Sequence, residues 1–90
     1  PNIHLMKSIK FAYYVLKKGG SYPLILNTVN EVAVNFFLKK RISFLDIIKI
    51  IEKMLYKSKN YRINSVNDIY DIDNEIRLLT KEYINNKWKF

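Results

Sequence analysis

The strongest constraint on what this chain can fold into lies between Gly19 and Ile47. Gly19-Gly20 reads as a helix stop, because glycine takes the left-handed backbone that ends a helix without a steric cost. Ser21-Tyr22-Pro23 opens the next helix, since proline suits a first turn whose N–H groups have no intrahelical partner. That helix runs to about Lys39, with Leu26, Val29, Ala33, Phe36 and Phe37 as its core candidates. It carries Asn27, Asn30 and Glu31 at i, i+3 and i+4, hence on one face. Uncompensated polar groups are costly to bury, so this trio is unusual in an otherwise apolar helix. A tight turn follows, and Ser43 caps a third helix with Asp46 where a capping-box acid belongs.

Two further helices flank this stretch. The first runs from about Asn2 to Lys18, with Leu5, Ile9, Ala12 and Leu16 at helical spacing and Met6 and Tyr13 beside them. In the third, Phe44, Ile47, Ile48, Ile51 and Leu55 make a wide apolar stripe ending near Tyr56. Lys57 to Asn67 is polar and irregular and reads as a loop. Ser65 and Asp68 repeat the capping-box spacing and predict a short helical turn over Val66–Tyr70. The last helix is expected from about Asp71, burying Ile72, Ile76, Leu79 and Tyr83, with Asn85-Asn86 ending it. No strand period appears, and short connections make the first three helices antiparallel neighbours. The fold class is all-α: a small bundle of about four helices in one domain over residues 1–90.

Ninety residues allow one modest core and no enclosed active site. The first residue is Pro1 rather than Met, which reads as processing or as part of something longer. Cysteine is absent, which excludes disulfides and cysteine nucleophiles, and a single His makes a zinc site untenable. No apolar run reaches the ~20 residues that span a bilayer. The net charge of +8 suggests nucleic acid. However, Lys, Ile, Asn and Tyr number 13, 13, 10 and 7, and all four have A/T-rich codons, so base composition alone accounts for the lysines. Lys also outnumbers Arg by 13 to 3, whereas phosphate and base recognition favours the arginine fork. Solvated helix faces are the simpler reading, with neither nucleic acid nor membrane as partner.

The remaining candidates for chemistry are few. Asn27, Asn30 and Glu31 could touch a ligand or metal, but amides are poor catalysts and one carboxylate makes a thin metal site. They are read instead as a structural polar group clamping the helix to its surroundings. Asp68, Asp71, Asp73 and Glu75 lack the glycine and distal glutamate of a calcium loop, and the helix dipole at two predicted N-termini accounts for them. His4 has no Asp to orient it and reads as a surface or core-edge residue. Trp88 is expected to cover its own bundle.

The central stretch resembles the C-terminal helical domain of the 1-deoxy-D-xylulose 5-phosphate reductoisomerase family. Leu26-Asn27-Thr28-Val29-Asn30-Glu31-Val32-Ala33-Val34 matches the family's Leu-Asn-Ala-Ala-Asn-Glu-x-Ala-Val helix. Arg41-Ile42-Ser43-Phe44-Leu45-Asp46-Ile47 matches its following turn. Pro1 to Leu5 and the Asp73/Arg77 spacing within Ser65–Arg77 agree more loosely. One departure is that Thr28-Val29 replaces the family's Ala-Ala, so close packing there must adjust. The resemblance implies an enzyme that uses NADPH and a divalent metal (Mg or Mn) to make 2-C-methyl-D-erythritol 4-phosphate in isoprenoid precursor biosynthesis. The family's nucleotide glycines, metal carboxylates and phosphate contacts map onto no residue here. The resemblance therefore implies no catalytic, cofactor or metal residue in this chain, and a non-catalytic scaffold for the catalytic domain of the same polypeptide. It further implies a full-length homodimer. The A/T-leaning composition adds a plastid or apicoplast setting, with bacterial cytoplasm as the alternative. The competing reading is an independent basic helical module for nucleic acid or an anionic surface.

Overall fold

Four helices form in the computed structural model, which describes residues 2–89: α1 (Ile3–Lys18), α2 (Tyr22–Leu38), α3 (Phe44–Lys57) and α4 (Val66–Lys87). No strand occurs among the described residues, and the all-α bundle read from the apolar periods is the observed architecture. Pro1 of the looser N-terminal motif lies outside the described residues.

Local chemistry explains each boundary. The Asn2 side chain accepts a hydrogen bond from the Leu5 N–H at 3.0 Å and starts α1. Gly19 and Gly20 both take positive φ, +65° and +57°, and end it. Both predicted capping boxes form. Ser43 Oγ accepts from the Asp46 N–H at 3.2 Å while Asp46 Oδ2 accepts from the Ser43 N–H at 2.8 Å. Ser65 and Asp68 make the same reciprocal pair at the start of α4. Between α2 and α3, Lys40 N–H donates to the Phe37 carbonyl and Arg41 N–H to the Phe36 carbonyl, the Schellman pattern. Lys40 holds the left-handed position at φ +60°, where a side chain costs roughly 1–2 kcal/mol relative to glycine.

Three helical expectations need correction. The short turn at Val66–Tyr70 and the last helix are one continuous α4, because no Gly or Pro interrupts the backbone ladder between Ser65 and Asp71. That helix also passes Asn85-Asn86 and ends at Trp88, whose N–H donates to the Ile84 carbonyl at 2.8 Å. In α4 the fully covered positions are Ile72, Ile76, Thr80 and Ile84, while Leu79 lies partly in solvent.

The largest correction concerns α1. Leu5, Ile9, Ala12 and Leu16 point away from the bundle, and Phe11 and Val15 on the other face are buried. Both faces are apolar, so periodicity alone does not choose between them. The inner face wins through partners on α2 and α3. Lys7 Nζ reaches Glu52 Oε1 of α3 at 2.9 Å, and Tyr14 meets the rings of Tyr22 and Tyr56 edge-on.

Helix α2 sits at the centre and packs against α1, α3 and α4. Ile25, Thr28, Val29, Val32 and Ala33 are buried there, joined by Ile50 and Leu55 of α3 and Ile84 of α4. Phe44, expected in the core, is exposed at the first turn of α3, its ring edge-on to His4 and Phe37. The bundle measures 37 × 32 × 19 Å, its thin axis close to two helix diameters.

Replacing Leu55, which is fully buried, by Ala is expected to destabilise the 90-residue chain by about 2–5 kcal/mol. Leu16→Ala should change it by less than about 0.5 kcal/mol. Urea unfolding followed by circular dichroism distinguishes the two, and equal losses would contradict the orientation of α1.

Candidate functional site

The chemistry of this bundle is concentrated where its helices meet, and the sequence-predicted trio takes part only in piece. Asn27 and Asn30 are exposed and line a shallow groove with Ser8 and Phe11 of α1 and Ile51 of α3. Glu31 turns the other way, toward α4. The three share a helix face but not a common partner, and because they are exposed no burial cost arises.

The buried polar residue of α2 is Thr28, which periodicity did not single out. Its Oγ1 donates to Asp73 Oδ1 of α4 at 2.6 Å. Arg77 Nη2 donates to both Asp73 oxygens at 3.2 and 3.3 Å and to Glu31 Oε2 at 3.2 Å. Thr28, Asp73, Arg77 and Glu31 thus form one chain of contacts between α2 and α4. The Thr28–Asp73 bond falls in the short range of charge-assisted O–H···O⁻ bonds, and one partner is fully buried. The Arg77–Glu31 pair is half in solvent on the glutamate side, where ion pairs contribute about 0–1 kcal/mol. The hydroxyl contact therefore dominates. The Arg77 guanidinium is held above its ordinary value chiefly by its bond to Glu31, with Asp73 adding to the effect.

A second junction joins the Gly19-Gly20 turn to the loop before α4. The buried Ser21 Oγ donates to Asn60 Oδ1 at 3.2 Å and accepts from the Tyr61 N–H at 2.8 Å. The Ser21 N–H also donates to Asn60 Oδ1 at 3.0 Å, and the Tyr22 hydroxyl donates to the Ser58 carbonyl at 2.7 Å. A Cβ on Gly20 would collide with the Asn60 side chain, so the turn needs glycine for space as well as for φ. Ser21 does not cap α2 with its side chain, although its position in the sequence suggests a cap. Burial and the nearby Glu75 carboxylate push the Tyr61 phenol up to about 12.

The predicted acidic cluster disperses. Asp68 caps α4, Asp73 bonds Thr28 and Arg77, Glu75 lies near Tyr61, and Asp71 is exposed. Asp73 owes its place to these partners and not to a helix N-terminus, since α4 begins two turns earlier. His4 stacks edge-on against Phe44, and Trp88 does the same against Tyr83. No group of three or more His, Cys, Asp or Glu side chains stands close enough to hold a metal ion among the described residues. No helix there is long and apolar enough to cross a membrane.

The family model described as DXP reductoisomerase C-terminal domain matches residues 1–79. The chain belongs to the DXP reductoisomerase C-terminal domain family. Proteins named 1-deoxy-D-xylulose 5-phosphate reductoisomerase are similar to it across nearly its whole length. That of Chloroherpeton thalassium is 38% identical over 97% of this chain and 21% of its own length. The relative from Clostridium novyi is 38% identical over 100% and 22%, and that from Sulfurihydrogenibium sp. is 44% identical over 90% and 22%. This chain thus spans about a fifth of the length of these relatives. No solved structure matches it. Asp73 and Arg77, spaced by four, are bonded to each other here, and the Thr28 hydroxyl meets the same Asp73 carboxylate.

Two outcomes test these contacts. Thr28→Val keeps the shape and removes the donor, and should lower stability by about 1–3 kcal/mol in denaturant melts; an unchanged midpoint would show that Asp73 does not depend on it. Because the Tyr61 phenol titrates above its ordinary value, its contribution to stability is complete below pH 10 and is lost as pH rises toward 12. Tyr61→Phe should remove a tyrosinate step near pH 12 from an NMR titration and flatten the loss of stability in that window.

Proposed function

We propose that this domain is the non-catalytic C-terminal scaffold of a 1-deoxy-D-xylulose 5-phosphate reductoisomerase, packed on the catalytic domain of the same polypeptide and supporting its active-site loops. The observation that carries this reading is the match to reductoisomerases over nearly the whole chain and only about a fifth of theirs. The polar side chains support it too. Thr28, Asp73, Arg77, Ser21 and Asn60 are occupied in holding helices and turns together, and the interhelical groove beside Asn27 and Asn30 offers amides but no acid or base. On this reading NADPH and Mg or Mn are bound by the rest of the enzyme, which acts as a homodimer in isoprenoid precursor synthesis. The A/T-leaning composition supports a plastid or apicoplast parent, while the named relatives favour the bacterial alternative.

One observation favours the competing reading of a basic module. Lys49, Lys53, Lys57 and Lys87 line one groove with Glu52 as the lone acid, and contact with Lys57 lowers the Lys53 ammonium below its ordinary value. Such crowding of like charge suits a polyanion, with affinity falling steeply as salt rises. A missing gel shift with DNA or RNA at low salt removes that reading.

The scaffold reading has its own test. The 90-residue chain should consume no NADPH with deoxyxylulose phosphate, a reductoisomerase truncated before it should lose most activity, and adding the chain in trans should restore part of that loss. Full activity of the truncated enzyme would overturn the scaffold role.

A further inference from the structure

Helix α1 is apolar on two faces, and its own bundle uses only one. Phe11 and Val15 are buried against the other helices. On the opposite side Leu5, Ile9, Tyr13 and Leu16 remain 58%, 47%, 72% and 76% exposed, with the small Ala12 exposed between them. Their spacing of four, four and three residues makes one continuous stripe about 16 Å long. Met6, 52% exposed, widens it toward a groove of ≈ 340 Å³ shared with Ile3, Lys7 and Lys10. Elsewhere the exposed apolar side chains make shorter groups. Leu38, Phe44 and Leu45 flank one turn, Val66, Ile69 and Tyr70 share a face of the first turns of α4 that Asn74 interrupts, and Leu78 lies beside the half-exposed Leu79. A contiguous exposed apolar patch of this kind marks a contact surface.

We infer that the outer face of α1, centred on Ile9, Tyr13 and Leu16, is the surface through which this domain docks on the preceding part of its own polypeptide. The inference rests on the scaffold reading above and names the face that reading leaves open. Two observations select this occupant. The relatives are about five times longer, and the family is described as the C-terminal domain, so most of the polypeptide lies before this region. α1 is also the first helix of the domain, the element nearest to any preceding segment. Lys10 and Lys17 border the stripe along one side and stand exposed. The complementary surface is therefore an apolar trough with carboxylates along one rim, since a buried lysine edge would otherwise lack partners.

The test uses the full-length polypeptide with p-benzoylphenylalanine in place of Tyr13, an aromatic-for-aromatic exchange at an exposed site. A second variant carries it in place of Leu16, and a control carries it in place of Asn74, exposed on α4. Irradiation of Tyr13→p-benzoylphenylalanine should give cross-links within one chain, to peptides preceding Asn2, at least fivefold above the Asn74 control. The Leu16 variant should give the same result. Cross-links at the mass of two chains would assign the face to a second copy and overturn the inference. Yield no higher than the control in both variants would overturn it as well. The scaffold reading fails separately: a truncated enzyme of full activity would refute it even where the intramolecular cross-link forms.

Discussion

Burial of α2 between three other helices is the constraint on which the rest of this structure depends. Ile25, Thr28, Val29, Val32 and Ala33 lose nearly all contact with water only because α1, α3 and α4 each cover part of the helix. Fully burying one such aliphatic side chain contributes roughly 1.5–3 kcal/mol, far more than any single surface ion pair here. The turns at each end of α2 follow from that demand. Gly19-Gly20 brings α1 back along it, and the left-handed Lys40 brings α3 back.

Packing of this kind sets orientation loosely, and the polar contacts make it definite. An apolar helix surface tolerates sliding and rotation, whereas the 2.6 Å bond between Thr28 and Asp73 is satisfied in one register of α4 on α2. The Ser21–Asn60–Tyr61 junction does the same for the long loop, pinning it to the start of α2. In a domain read as a scaffold, such contacts have a functional meaning, because a support transmits position only if its helices hold one arrangement.

The legibility of these features in the sequence follows their range. Both capping boxes could be read because they involve residues three apart and obey backbone geometry. The glycine stop was legible for the same reason. Thr28 was visible only as a departure from the family's alanine pair, since its partner lies 45 residues away. Asn27, Asn30 and Glu31 stood out as a face, yet their destinations depend on which helix lies opposite: α1 and α3 for the amides, Arg77 for the acid. Ser21 was placed correctly at a helix start, but its partners in the loop were beyond local rules.

What the sequence by itself determined is therefore the first three helices, the capping boxes that open α3 and α4 and the family the chain belongs to, because hydrophobic period, capping spacing and motif are all local properties. Tertiary structure alone decided which face of α1 turns inward. Leu5, Ile9 and Leu16 satisfy the helical period as well as Phe11 and Val15 do. The choice was made by Glu52 and Tyr56, which are distant in sequence, and by Tyr22 across the Gly19-Gly20 turn, all of which meet Lys7 and Tyr14 only once the bundle closes. The same closure leaves the outer stripe in water, a physical remainder that no reading of one helix in isolation could have assigned.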